Sequence, residues 1–299
     1  MINGKLELIS KEIKYLINPI HKSKLDLYIK DIFSGKLSGE FKSLLSGYSS
    51  DFLEYKEYNY GDSINLIDWK VFARKEKLYI KKFQHYSDSN IYFVLDSSES
   101  MSYREKFSKF EYGFLLVSIL SLIFSFYRNR VFLITYINNR YVQLKIDSIK
   151  ELYKTIDILS KTHYSASFFS NIIENKNFFL SISSNSIVFL LSDFMEDEKI
   201  ILEFYKLLEH KTKRFYGIQI ITNDELNLNF DENINLVDIE NKEESYFLES
   251  KSLKRKYIEE VNRWMNNLKK IFTKRYNRLF IYNMEEPSIF AIKLIKEIN

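Results

Sequence analysis

The chain of 299 residues contains no cysteine, two prolines and seven glycines. Without cysteine there is no disulfide, no thiolate metal site and no cysteine nucleophile, a pattern that suits a cytoplasmic location. Glycine is too scarce to supply phosphate-cradling loops. No GxxxxGK[ST], GxGxxG or GxSxG occurs, so P-loop or dinucleotide binding and serine hydrolysis lack their usual scaffolds. Long apolar runs are missing as well. The longest, Phe114 to Tyr127, is broken by Ser118, Ser121 and Ser125. As a helix it would cover only about 20 Å of a hydrocarbon layer roughly 30 Å thick, so it reads as a buried core helix and no membrane span is expected. The opening MINGKLELISKEIKYLINP mixes charges among its apolar residues and has no continuous apolar region, so no signal peptide is expected. Neither charge dominates: 44 Lys and Arg against 40 Asp and Glu leave +4, too little to imply a nucleic-acid partner. The four histidines, His21, His85, His163 and His210, are scattered singly and read as surface or structural residues.

What is present is a hydrophobic share of 45%, ample for a packed core. Apolar residues recur at helical spacing over 5–34, broken at Asn18-Pro19, which fits two short helices. A Gly- and Ser-containing stretch at 35–50 reads as a loop, Asn59-Tyr60-Gly61-Asp62 as a turn and Leu78-Tyr79-Ile80 as a strand. From Ile91 strand and helix alternate. Strands are expected at 91–95, 131–136, 141–146, 186–191, 215–221 and 279–282, and helices at 105–128, 149–159, 167–175, 199–209, 251–273 and from 288. A hairpin is expected near 234–249. Such alternation calls for an α/β fold, a mostly parallel central sheet with helices on both faces. It divides the chain into an appendage at 1–89 and a main domain at 90–299, with the hairpin and long helix near 234–273 as an insertion.

The stretch of greatest chemical interest is IYFVL followed by DSSESM, from Ile91 to Met101. Asp96, Ser98 and Ser100 fall at i, i+2 and i+4 in a loop leaving a strand, a spacing that can converge three oxygen ligands on a hard cation such as Mg²⁺. The competing reading is that Asp and Ser are ordinary turn residues. A second apolar strand ends in Ser192-Asp193. In parallel sheets ligands sit outside the carboxyl ends of the strands, where Asp96 and Asp193 both fall.

The order of strand, DxSxS, long helix and later strand ending in Asp resembles the von Willebrand factor A-like fold with its metal-ion-dependent adhesion site. EYNYGDSINLIDWKVFARKEKLYIKKF just before it resembles the signature of the bacterial family called domain of unknown function 58, through Tyr58, Gly61, Asp62, Ile67, Asp68, Trp69, Ala73 and Arg74. With VFLLSDF at 188–194 the resemblance spans about residues 38–290. It implies Asp96, Ser98 and Ser100 as direct ligands of Mg²⁺, with Mn²⁺ or Ca²⁺ as substitutes, and Asp193 as a ligand acting through water. It also implies a middle-loop hydroxyl, for which apolar spacing favours Ser167 over Ser165 and Thr162. The implied function is a non-enzymatic adaptor that binds a partner carboxylate and works with a MoxR-type AAA+ ATPase or its client, in protein assembly, maturation or stress response. The alternatives are a metal-dependent hydrolase on the same carboxylates and a scaffold with a degenerate metal site.

Asp62, Asp68, Trp69 and Arg74 admit two roles. As a structural group, Trp69 packs beneath the sheet edge and Arg74 pairs with Asp68; as a functional one, the four form part of a docking surface. The run from Lys251 to Arg278 holds ten Lys or Arg against two Glu. A solvated helix face is its default meaning, with an acidic partner, nucleic acid or peripheral contact with anionic lipid as alternatives; nucleic acid ranks low because no stacking aromatics are interleaved.

Overall fold

In the computed structural model the described residues are 49–86, 90–103, 107–126, 129–160, 168–184, 186–227, 234–237, 245–248, 251–272 and 277–298. The helices expected within 5–34 lie outside them. Most of the loop expected at 35–50 does too, but Ser49 and Ser50 begin a strand, β1 (Ser49–Glu57). The turn at Asn59 follows, closed by Asp62 N donating to Asn59 O at 2.9 Å. Gly61 takes φ +104° there, a backbone region costly for any residue with a Cβ. Asp68 then starts α1 (Trp69–Lys75), and β2 (Tyr79–Tyr86) returns antiparallel to β1. Neither β1 nor α1 was legible in the sequence. The two strands form a separate two-stranded ribbon, and α1 buries none of its residues, so hydrophobic periodicity is weak in both.

The main sheet is built from β3 (Asn90–Leu95), β4 (Arg130–Ile137), β5 (Arg140–Lys145), β6 (Ile187–Ser192), β7 (Arg214–Ile220) and β10 (Arg278–Tyr282), in the order β10-β7-β6-β3-β4-β5. All neighbours are parallel except β4 and β5. These two form a hairpin turning at Asn138 (φ +50°) and Asn139 (φ +57°), the pair of positive φ values that a two-residue hairpin turn needs and that Asn tolerates. The chain begins this sheet at β3, builds outward through β4 and β5, then returns to β6 on the other side of β3. The order therefore reverses between β3 and β6, and in sheets of this kind ligands bind outside the carboxyl ends of the strands at such a point.

Helices cover both faces. On one lie α2 (Lys109–Phe126), α3 (Ile149–Ser160) and α9 (Pro287–Ile298), whose Phe114, Leu152 and Leu294 join Phe93, Phe189 and Tyr216 of the sheet in one core cluster. Phe93, Phe189 and Tyr216 stack across three adjacent strands with centroids 5.1 Å apart at each step. The other face is packed by α4 (Phe168–Glu174), α5 (Lys176–Ser181), α6 (Glu198–Glu209) and α8 (Lys251–Ile271) through Phe168, Phe178, Phe204 and Leu268. A short helix, α7 (Asn223–Asn227), follows β7, and β8 (Ile234–Val237) pairs antiparallel with β9 (Ser245–Leu248) as the expected hairpin. On α8, Arg255 pairs with Glu259 and Arg263 with Glu260, all exposed, as a solvated face requires. No helix among the described residues is long and apolar enough to cross a membrane.

Candidate metal and partner-binding site

Because β3 is buried on both faces, its run of apolar residues ends abruptly at Leu95 and the first polar residue, Asp96, is still inside the protein at 2% exposure. Its backbone N–H continues the ladder to Leu191 O at 2.9 Å. Its carboxylate accepts from Ser98 N at 2.8 Å and from Ser192 Oγ at 2.5 Å. Burial, and then the negative charge of Asp193, push its pKa up to about 7, against the opposing pull of the Ser192 and Ser98 hydrogen bonds. Ser98 Oγ and Ser100 Oγ lie 3.0 Å apart, and Ser97 Oγ donates to the Tyr136 carbonyl, tying the loop to β4. The spacing read from the sequence therefore does bring Asp96, Ser98 and Ser100 into one hydrogen-bonded loop.

Asp193 sits at the end of the neighbouring strand β6, 1% exposed. Phe194 after it is fully buried with φ +58°, a left-handed conformation that a bulky residue adopts only under constraint. That twist aims Phe194 N at Ser192 Oγ (2.7 Å) and Met195 N at Asp193 Oδ1 (3.1 Å). The other Asp193 oxygen accepts from Lys109 Nζ at 2.6 Å, and the same ammonium reaches Glu225 Oε1 at 2.7 Å. Burial pulls the lysine pKa down, but the two carboxylates outweigh it and hold the group above the usual lysine range. Lys109 opens α2 and Glu225 belongs to α7. Both helices start with capping boxes: Ser108 N donates to Glu111 and Glu111 N to Ser108 Oγ, and Thr222 and Glu225 repeat the exchange. In register with Ser192 is Gln219 of β7, fully buried, with neither amide atom partnered among the described residues.

Lys109, Ser192, Gln219 and Glu225 were not anticipated from the sequence. The legible signals were the SxxE at 108–111 and TxxE at 222–225, which mark helix starts, and a cation at a first helical position, where the helix dipole disfavours it. Ser167, Ser165 and Thr162 lie outside the described residues. The donor set that is described, one buried carboxylate and two hydroxyls with a second carboxylate on the adjacent strand, is all oxygen and suits a hard dication such as Mg²⁺. The unpartnered amide of Gln219 on the same sheet face also leaves polar capacity for a bound species or its water shell. Among the described residues no three His, Asp or Glu side chains gather as a ligand group, so a metal here depends on the hydroxyls.

The profile of the family described as protein of unknown function DUF58 matches residues 54–266. The chain belongs to the DUF58 family. A comparison with curated proteins finds no match. Among solved structures the fold is similar to the conserved hypothetical protein BatB of Bacteroides thetaiotaomicron, with 14% identity, TM-score 0.41, and 70% of this chain and 96% of that one covered. It is similar also to an aerotolerance-related membrane protein of Bacteroides fragilis (12%, TM-score 0.40, covering 71% and 98%) and to the VWA domain of SpRpn10 (13%, TM-score 0.39, covering 70% and 94%). The strand order and the two helical layers already show a von Willebrand factor A-like sheet.

The DUF58 signature residues sit on the connection between β1 and β2, which includes α1. Asp68, 6% exposed, caps α1 by accepting from Lys70 N and Val71 N, and also accepts from Tyr55 OH at 2.8 Å. Its ion pair is with Lys81 at 3.0 Å, not with Arg74 as expected, because the adjacent strand β2 brings that lysine across. These bonds, led by those from Lys81 and Tyr55, lower the Asp68 pKa to about 2. Asp62 pairs with Lys56 and accepts from Asn59 N, closing the turn. Trp69 does not pack under a sheet edge. It is 60% exposed, edge-on to the partly exposed Phe72. The acidic members of the signature thus hold the local frame, and its tryptophan faces outward.

Proposed function

We propose that this DUF58 protein is a non-enzymatic interaction adaptor that recognises a carboxylate of a partner protein through a divalent cation. Asp96, Ser98 and Ser100 hold the cation, Asp193 acts through water and Ser167 adds a hydroxyl. Mg²⁺ is the preferred ion, with Mn²⁺ or Ca²⁺ as substitutes. The observation that carries the reading is Asp96, a carboxylate buried at the point where strand order reverses and with no ion pair among the described residues. Burying an unpaired carboxylate is costly, and a bound cation is the ordinary compensation. A cation that keeps a water-bearing position supplies an electrophilic point for an outside carboxylate to occupy. In this reading Ser192 and Ser98 N fix the Asp96 rotamer, while Met195 N and Lys109 hold both oxygens of Asp193. Hydrolysis on the same carboxylates is the weaker reading, because it needs a proton-transfer group, and Lys109 is buried and committed to two carboxylates. The partner proposed from the family resemblance is a MoxR-type AAA+ ATPase or its client, in the cytoplasm.

Copurification tests this directly. Tagged protein should recover a coexpressed MoxR-type ATPase in Mg²⁺, with recovery falling roughly ten-fold or more in chelator and for Asp96→Ala. Equal recovery under all three conditions would remove the metal from the mechanism.

A further inference from the structure

Lys109 is buried where helix physics disfavours it. As the first residue of α2 it sits at the positive end of the helix dipole, and its side chain is 1% exposed. The cap formed by Ser108 and Glu111 does not involve its side chain. The ammonium is held from elsewhere: Asp193 at 2.6 Å, Glu225 at 2.7 Å, and the Tyr103 ring with its centroid 5.9 Å away. Two carboxylates overcompensate one cation, and Asp96 adds a third beside Asp193. Ionised, the group of Asp96, Asp193, Glu225 and Lys109 carries −2, the opposite of one dication.

We infer that Lys109 is the resident cation of this site, a charge-setting and positioning residue that occupies Asp193 and leaves the cluster balanced by a single divalent ion. The inference rests on the metal reading of Asp96, Ser98 and Ser100 and deepens it. With Lys109 present, one dication brings the cluster to zero, and an anionic group of a partner meets no net repulsion. Without it, the same carboxylates carry −3, bind a dication more tightly, and remain at −1 toward the partner. Lys109 also accounts for Asp193 acting through water: Oδ2 is taken by the ammonium and Oδ1 by Met195 N.

The test uses the full chain, stripped with chelator, in two measurements: calorimetric titration with Mn²⁺ alone, and thermal unfolding in EDTA and in Mn²⁺. Lys109→Met is expected to melt lower in EDTA, to bind Mn²⁺ roughly ten-fold more tightly than wild type, and to regain most of its lost melting temperature in Mn²⁺. Glu225→Gln keeps the helix cap, since Gln also serves in a capping box. It reduces the cluster to −1 and should bind Mn²⁺ roughly ten-fold more weakly. The double variant should return close to wild type. If Lys109→Met binds no more tightly and Glu225→Gln no more weakly, the inference is overturned, while the wild-type titration still decides the metal reading. If wild type takes no Mn²⁺ but Lys109→Met does, the lysine fills the site in place of a dication, and both the inference and the metal reading fall. If neither takes Mn²⁺, both fall. Should Lys109→Met fail to fold, Glu225→Gln decides alone, and an unchanged Mn²⁺ affinity overturns the inference.

Discussion

A carboxyl group buried at the end of β3 beside Asp193 binds its proton more tightly in the folded chain than in the unfolded one. For Asp96 the shift runs from 3.8 up to about 7, caused first by burial and then by its acidic neighbour. The stabilisation from a raised pKa is fully present below the unfolded value and is lost as pH rises through the folded one. Metal-free protein should therefore lose stability from this group between about pH 4 and pH 7, then level off. Asp96→Asn keeps an acceptor for Ser98 N and removes the charge. In EDTA it should match wild type near pH 4 and exceed it by about 1 kcal/mol or more at pH 8. Urea unfolding across that range reads the gap directly. Parallel curves for the two proteins would show that Asp96 is not destabilised by burial, and would withdraw the physical motive for a cation there.

At the scale of elements, what the sequence made legible is what burial imposes on pattern. IYFVL and IVFLL are continuous apolar runs because β3 and β6 are covered on both faces, and the polar residues that follow, Asp96 and Ser192-Asp193, mark the point where the strand order reverses. Most of the chain from Ile91 onward was readable for this reason, whereas α5 and α7, of six and five residues, are too short to show a helical period. β1 and α1 were not readable either: α1 buries none of its residues and β1 pairs only with β2, so neither leaves a clear periodic trace. Long-range ionic partners were illegible for a different reason: Lys109 meets Glu225 across 116 positions, and Asp68 takes Lys81 instead of Arg74 because strand pairing, not sequence distance, decides the neighbour. How α2 seats Lys109 can be tested at Gly113. A Cβ there would lie 2.8 Å from Leu95 Cδ1 and 2.9 Å from Ile220 Cδ1, both fully buried. Alanine gains about 1 kcal/mol of helix propensity over glycine, but overpacking a filled core costs about 1–3 kcal/mol. Gly113→Ala should thus be net destabilising by about 1 kcal/mol, measured by the shift of the urea midpoint at unchanged slope. A gain in stability would mean that α2 is free to move off the sheet and does not fix the lysine rigidly.

For the whole molecule, the family match ends at residue 266, yet the sheet and one helical layer do not. β10 forms the edge beside β7, and Ile221 N donates to Tyr282 O at 3.1 Å, immediately before Thr222, which caps the helix α7 that carries Glu225. Tyr282 is fully buried, stacks on Phe290 at 4.5 Å and meets Tyr112 of α2 edge-on at 6.5 Å. Phe290, Ala291, Leu294, Ile295 and Ile298 of α9 belong to the same core cluster as Phe114 and Leu120 of α2. The segment after the family match is therefore part of the layer that holds Lys109 and, through it, Asp193. Burying a large apolar side chain contributes about 1.5–3 kcal/mol, so Phe280, Tyr282, Phe290, Leu294, Ile295 and Ile298 together contribute on the order of 10 kcal/mol, comparable to the entire stability of a typical domain. Deleting residues 277–299 should abolish cooperative thermal unfolding and the near-ultraviolet dichroism of the packed aromatics, with or without Mn²⁺. A cooperative transition in the truncated chain would show that the matched region forms a self-sufficient core and that α9 only lies upon it.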